Sequence, residues 1–187
     1  MVHEVPRLNE LTLHLLEPTQ YAMAAAWLGE PDTNRWLYAE WRGRAVDEKL
    51  VAVVAINARN RLYALHYGDR PVGLVAMSEI NRVDECASVW YLLGDRSLAG
   101  RGLMSRGVGL LCESAWKMGL HSLHASVMDG NLGSIKVLEN AGFRFAGRLR
   151  DAFKVGEKRM DRLLYDILRI GDTTGIPSTQ WGNESRP

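Results

Sequence analysis

The sequence has little cysteine, no long apolar run and almost no net charge. Of its 187 residues only Cys86 and Cys112 are cysteines, and both lie in apolar, patterned segments. Two such cysteines do not make a disulfide framework, and we expect free thiols in a reducing compartment. The apolar run around Val51–Ile56 is far too short to cross a bilayer.

The charges nearly cancel, because 23 Lys and Arg stand against 22 Asp and Glu, for a formal net charge of +1. A balanced chain provides no general field for nucleic acid or for an anionic membrane. The opening residues Met1 to Leu11 show no signal-peptide pattern. We therefore expect a cytoplasmic protein that binds neither nucleic acid nor membrane.

The length and composition predict one folded domain. Hydrophobic residues make up 47% of the chain, which is enough to bury a core and excludes a disordered protein. No repeat and no low-complexity run occurs. Residues 171–187 are polar and rich in Gly, Thr, Ser and Pro, so we expect a domain at 1–170 and a flexible tail after it.

The hydrophobic period changes along the chain in a way that predicts a mixed α/β sheet with helices on both faces. A strand at Leu11 to Leu16 precedes a helix capped by Thr19, a second helix and an antiparallel meander that ends with Cys86 to Leu93. A strand–helix–strand–helix unit follows. Segments from Gly147 and from Asp161 then form a closing hairpin.

A glycine-rich turn between a strand and a helix, Gly94 to Gly107, is the most informative segment. Gly100 and Gly102 allow close approach of a ligand to the backbone. The amides of Arg101 to Ser105 then form an anion site at a helix N-terminus, and pyrophosphate suits it best. Val108 and Gly109 replace the Lys and Ser or Thr of a Walker loop, and Ser105 replaces the third glycine of a Rossmann fingerprint. The alternative is a glycine-rich strand-to-helix turn that binds no ligand.

A second motif follows the next strand, from Met128 to Phe143. Asn131 stands at the expected cap of a helix, where its amide either caps the helix or holds a polar arm of a ligand. Ser134 lies one turn further on the same face. A well-capped helix with no ligand is the alternative.

These two motifs, in this order and spacing, resemble the GNAT superfamily of acyl-CoA-dependent N-acetyltransferases. Within it, they are similar to the branch of ribosomal-protein alanine and amino-sugar acetyltransferases. The resemblance spans about Leu11 to Leu168. It implies a splayed, mostly antiparallel sheet, acetyl-CoA as co-substrate and no metal. It also implies the cofactor-binding residues, on the backbone of one strand, the glycine turn and the second motif: Tyr91, Leu92, Leu93, Gly100, Arg101, Gly102, Leu103, Met104, Ser105 and Asn131.

Three positions depart from the family pattern. Ala99 and Met104 change side chains in the loop but not its amides, so cofactor binding should survive. Many members carry a Tyr general acid at the position of Leu138, which cannot donate a proton. The closer branch shares this lack, and Ser134 becomes the candidate partner of the leaving thiolate.

Acyl transfer needs a neutral amine, and a carboxylate can take its proton directly or through water. Glu79 at a strand end is our first candidate, and Asp84 and Glu85 are second; solvated surface carboxylates are the alternative. His121 and His124 are expected on opposite faces of a strand, a poor metal pair.

In this family the loop that holds Trp36, Tyr38 and Trp41 closes over the acceptor, and these aromatic side chains are our acceptor-binding candidates. Packing on their own core is the alternative. The arginines of this loop hint at an acceptor with an anionic part.

We expect acetyl transfer to the primary amine of a small molecule such as an amino sugar or nucleotide-linked sugar. Acetylation of a protein N-terminus or lysine and a non-catalytic acyl-CoA-binding module are the alternatives. A homodimer is possible on sequence grounds.

Overall fold

The computed structural model describes residues 10–38 and 41–169. The tail that we predicted at 171–187 lies outside these residues. Within them, the strands are β1 (Leu11–Leu15), β2 (Arg61–Tyr67), β3 (Arg70–Asn81), β4 (Cys86–Leu93), β5 (Ser122–Met128), β6 (Arg144–Val155) and β7 (Lys158–Leu168). The helices are α1 (Tyr21–Gly29), α2 (Pro31–Asn34), α3 (Glu48–Ile56), α4 (Leu103–Lys117) and α5 (Leu132–Asn140).

The seven described strands form one sheet in the order β1-β2-β3-β4-β5-β7-β6. Five of the neighbouring pairs are antiparallel, and β4 and β5 are parallel. The closing hairpin folds back so that β7, not β6, lies next to β5. The predicted mixed, mostly antiparallel sheet is confirmed.

Two apolar clusters cover the two faces of the sheet. One contains Val108 and Leu111 of α4 and Leu138 of α5. The other contains Leu28 of α1 and Val51 of α3. Helices therefore cover both faces, as predicted. No helix in the described residues is long and apolar enough to span a membrane.

The sheet splits between β4 and β5. These strands pair over only three residues, Cys86 with Ser122, Ala87 with Leu123 and Ser88 with His124. Beyond this point β4 still pairs with β3, and β5 still pairs with β7. The facing edges of β4 and β5 thus separate, which gives the sheet the splay that the resemblance implied.

The start of α1 differs from our prediction. Thr19 lies inside a short 3-10 turn, Pro18–Gln20, and Gln20 occupies the cap position of α1. Because Pro18 fixes its own φ, it starts this tight turn before the α-helix begins.

Two glycines in α4 provide a matched test of packing. A Cβ at Gly107 would lie 2.8 Å from Leu65 Cδ2, whereas a Cβ at Gly109 would meet nothing within 4 Å. Leu65 is completely buried. We expect Gly109→Ala to raise the free energy of unfolding by about 1 kcal/mol through helix propensity. Gly107→Ala should lower it by about 1 kcal/mol through overpacking. Urea unfolding of both variants measures this, and equal effects would contradict the packing described here.

Candidate active site

Two clefts open where β4 and β5 separate. The first has a volume of about 550 Å³ and reaches the N-terminal ends of α4 and α5. The second, of about 870 Å³, lies beside the end of α3, β3 and β7. Both are lined by Tyr38, Trp90, Ala125 and Ser126, so the two clefts meet at the splay.

The glycine turn forms one end of the first cleft. Gly100 and Gly102 have φ values of 78° and 74°, the left-handed conformation that glycine adopts at little cost. The first intrahelical hydrogen bond of α4 runs from Arg106 N to Gly102 O, at 3.2 Å. The amides of Leu103, Met104 and Ser105 therefore precede this ladder, at the positive end of the helix dipole.

All five of the residues Gly100, Gly102, Leu103, Met104 and Ser105 line the first cleft. Helix N-termini of this kind bind phosphate through backbone N–H groups. Arg101 is exposed and is not part of the cleft lining, so only its backbone is placed to take part.

The separated part of β4 forms a second wall of the first cleft. Tyr91, Leu92 and Leu93 all line it. Their strand partners are on β3, and β5 has turned away from them. Polar backbone groups on a strand edge bind an extended polar chain as a further strand would. An amide-containing arm such as pantetheine fits this edge.

The second motif provides a third wall and a pair of hydroxyl groups. Asn131 caps α5, because its Oδ1 accepts a hydrogen bond from Ser134 N at 3.2 Å. Tyr91 Oη donates to the Ser134 carbonyl at 2.9 Å and lies 2.8 Å from Ser134 Oγ. The phenol has one proton, so Ser134 must donate its own to Tyr91 Oη.

Burial raises the pKa of Tyr91 well above its ordinary value, which keeps the phenol protonated. The Tyr91–Ser134 pair thus presents neutral hydroxyl groups to the cleft. Sequence reasoning named Tyr91 for its backbone and missed this side-chain bond, since no local pattern relates β4 to α5.

Tyr38 links the loop after α2 to the separated edge of β5. Its hydroxyl accepts from Ser126 N at 3.1 Å and from Ser126 Oγ at 3.2 Å, and donates to Ser126 O at 3.3 Å. The Tyr38 side chain thus provides hydrogen-bond partners for backbone groups of β5 that do not pair with β4. Tyr38 lines both clefts and lies where they meet.

The three aromatic candidates for the acceptor do not form one surface. Trp36 lines the first cleft, Tyr38 lines both, and Trp41 lines the second. Trp41 is only 3% exposed and packs on Trp90 with ring centroids 5.8 Å apart. Asn34 holds this loop, because its amide donates to Trp41 O at 2.8 Å.

Charged side chains and one imidazole line the second cleft: Glu79, His124, Arg162 and Asp166. Those that line the first cleft are Asp32, Arg96 and Lys136. Ser78, Ser88, His124 and Asp166 lie in register across four strands and all line it. Glu79 follows Ser78 at an irregularity of β3, with a φ of 54°, and lines the same cleft.

Neither cleft is lined by Asp84 or Glu85, our second candidates. Sequence reasoning missed His124 and Asp166 as cleft residues. The alternation of residues along β7 indicates that Asp166 shares a face of the strand with Arg162 and Leu164. That Asp166 lies next to His124, however, depends on β7 pairing with β5, which no local pattern predicts.

The remaining candidate chemistry is sparse in the described part of the chain. It holds no group of three or more His, Cys, Asp or Glu that could bind a metal ion. Burial raises the pKa of Cys112 to about 12, so this thiol stays neutral at physiological pH.

The Tyr38 bond to β5 gives a direct prediction. In Tyr38→Phe the Ser126 amide loses its acceptor, so its hydrogen exchange should accelerate by about fivefold, in keeping with roughly 1 kcal/mol for one hydrogen bond. Val127, paired with Leu163 of β7, is the internal control and should exchange as before. Unchanged exchange at Ser126 would contradict the hydrogen bonds between Tyr38 and β5.

Comparison with known proteins gives a consistent family. Residues 10–144 match the family described as the acetyltransferase (GNAT) domain. A probable N-acetyltransferase, YjcK of Bacillus subtilis strain 168, is 36% identical over 106 residues. That alignment covers 56% of this chain and 58% of YjcK, so the chain matches a little over half of this relative's length.

Solved structures share the fold. A spermidine N-acetyltransferase from Vibrio cholerae, in complex with CoA and spermine, superposes with a TM-score of 0.77 at 19% identity. The superposition covers 86% of this chain and 96% of that one. The crystal structure of a probable acetyltransferase superposes with a TM-score of 0.72 at 21% identity, over 86% and 93% of the two chains. The chain belongs to the GNAT acetyltransferase family.

Proposed function

We propose that this protein transfers the acetyl group of acetyl-CoA to the primary amine of a small molecule. The observation that carries the proposal is the meeting of two clefts at the splay, one bordered by the free edge of β4 and the start of α4, the other lined by Glu79, His124 and Asp166. Bringing two reactants together in a fixed geometry is itself a large part of catalysis.

Acetyl-CoA occupies the first cleft in this proposal. Its pyrophosphate lies on the amides of Leu103 to Ser105, and its pantetheine arm lies along Tyr91 to Leu93. Asn131 contacts the arm. This binding uses backbone groups, so Ala99 and Met104, which depart from the family pattern, do not prevent it. The thioester then reaches the place where Tyr38 and Trp90 line both clefts.

The acceptor amine enters through the second cleft and attacks the thioester carbonyl carbon. The C–N bond forms, the C–S bond breaks, and CoA leaves as a thiolate. Before the attack, the ammonium form of the acceptor gives one proton to a carboxylate, for which Glu79 is our first candidate and Asp166 beside His124 the second. The second proton, released from nitrogen as the amide forms, passes to water. Ser134 is our candidate to donate a hydrogen bond to the leaving thiolate, for which its hydroxyl proton turns away from Tyr91 Oη.

The acceptor class has several candidates. An amino sugar or nucleotide-linked sugar is our leading expectation, and membership of the alanine and amino-sugar branch stays a prediction. A polyamine is the second, since a structure with this fold is a spermidine acetyltransferase with spermine bound. A protein N-terminus or lysine, and a binding module without turnover, are the alternatives.

Release of free thiol from acetyl-CoA by the purified protein tests the proposal. We expect release with one class among amino sugars, amino acids, polyamines and peptides, and mass spectrometry should find the product acetylated on nitrogen. No release with any amine, together with a rise in melting temperature on adding CoA, would support the binding module instead. No change in melting temperature would contradict the cofactor site.

Glu79 and Glu85 make a matched pair for the same assay. Both are exposed glutamates with positive φ, at 54° and 50°, but only Glu79 lines a cleft. Glu79→Gln should lower kcat/KM by about 100-fold near pH 7, and by less at high pH, where the amine loses its proton unaided. Glu85→Gln should leave it unchanged. Equal effects would remove Glu79 as the base.

A further inference from the structure

One aromatic side chain of the closing hairpin contacts two arginines, one of which lines the second cleft. The guanidinium carbon of Arg162 lies 4.6 Å from the centroid of the Phe153 ring, and that of Arg42 lies 5.1 Å from it. Arg162 lines the second cleft, and Arg42 follows Trp41, which also lines it. Two positive charges are thus held at one ring.

The hairpin is shaped to hold this ring. Phe153 is the one buried residue of β6. The strand register shifts between Leu149 and Phe153, and Asp151 in this bulge has a φ of 52°. The Asp151 amide donates to Asp161 Oδ1 at 3.0 Å, which fixes the bulge. Turning Phe153 inward therefore depends on a strained, specifically bonded segment.

Both arginines have unsatisfied donors. Arg42 Nη1 and Arg162 Nε are buried, and neither has a hydrogen-bond partner in the described residues. The carboxylate next to Arg162 in the chain is engaged elsewhere, because Asp161 pairs with Arg148 at 3.1 Å and its Oδ1 accepts from the Asp151 amide. Buried N–H groups without acceptors are costly, so an anion that reached these donors would remove that penalty.

The second cleft is therefore divided by charge. Asp166 lies on one side of Leu164 along β7 and Arg162 on the other, and Glu79 lies on the Asp166 side, because its neighbour Ser78 is in register with Asp166 across the sheet. Arg162, Leu164 and Asp166 are alternate residues of β7, and Leu164 pairs with Ser126, where the clefts meet. Arg162 thus stands two residues, about 7 Å, from the level of the meeting point.

We propose that the acceptor carries an anionic group, a carboxylate or a phosphate, which Arg162 and Arg42 bind about 7 Å from the amine. This inference rests on the proposed acetyl transfer. Guanidinium groups bind carboxylate and phosphate through paired N–H donors. The same two charges would repel a polyamine, so the acceptor differs in class from the one bound in the similar spermidine acetyltransferase structure.

Matched acceptors test the inference. Butylamine is compared with 4-aminobutanoate, and 3-aminopropanol with 3-aminopropyl phosphate; spermidine is a fifth probe. Binding to the CoA-saturated protein is measured by calorimetry, and turnover by thiol release from acetyl-CoA. We expect the anionic member of one pair to bind about 10- to 100-fold more tightly, from charge-assisted hydrogen bonds. The pair that responds identifies the anion as carboxylate or phosphate.

Variants assign the preference to the arginines. Arg162→Met should abolish it, and Arg42→Met should reduce it. Arg162→Lys, which keeps the charge but loses the paired donors, should retain part of it. Arg150→Met is the control, because Arg150 is an exposed arginine of the same hairpin that lines neither cleft. The change in melting temperature on adding CoA shows that each variant is folded.

The outcomes separate this inference from the proposed function. Equal binding within both pairs, or a preference that persists in Arg162→Met, overturns the anion site. Transfer to butylamine or spermidine in that case leaves acetyl transfer intact. Arg162-dependent binding of an anionic probe without transfer to any amine would instead support the anion site and overturn the proposed function.

Discussion

The architecture of the site depends on the separation of β4 and β5 after three paired residues. A sheet that divides in its middle exposes backbone hydrogen-bonding groups on two facing edges, and buried groups of this kind need partners. On β5 a side chain supplies them, because Tyr38 bonds both backbone groups of Ser126. On β4 the facing edge borders the first cleft, together with the N-terminus of α4. The proposed cofactor takes the place of the missing strand.

In our proposal, backbone groups bind the cofactor and side chains bind the acceptor. In our proposal the cofactor is bound mostly by amides, whose position depends on glycines with left-handed φ and on the start of a helix. The acceptor instead faces side chains, among them Glu79, His124 and Arg162. Family membership therefore indicates the cofactor more directly than it indicates the acceptor, since side chains can change without altering the fold.

Local sequence patterns were sufficient for the elements and for the cofactor side. The strand Cys86–Leu93 has the bounds that we predicted, and the helix Leu103–Lys117 begins directly after Gly102 of the glycine turn. Local patterns could not predict which residues line the second cleft. His124 and Arg162 are far apart in the chain and join one cleft only because β7 inserts between β5 and β6. Trp36 and Trp41 are close in the chain, yet they line different clefts.

Amide hydrogen exchange with and without saturating CoA tests the central claim most directly. If the cofactor replaces the missing strand, exchange should slow at alternate residues of Val89 to Leu93 and at Leu103 to Ser105. The amides of Glu79 and Leu164, at the second cleft, should be little affected. Binding of CoA that leaves the β4 and α4 amides unchanged, or that protects the second cleft instead, would contradict the account.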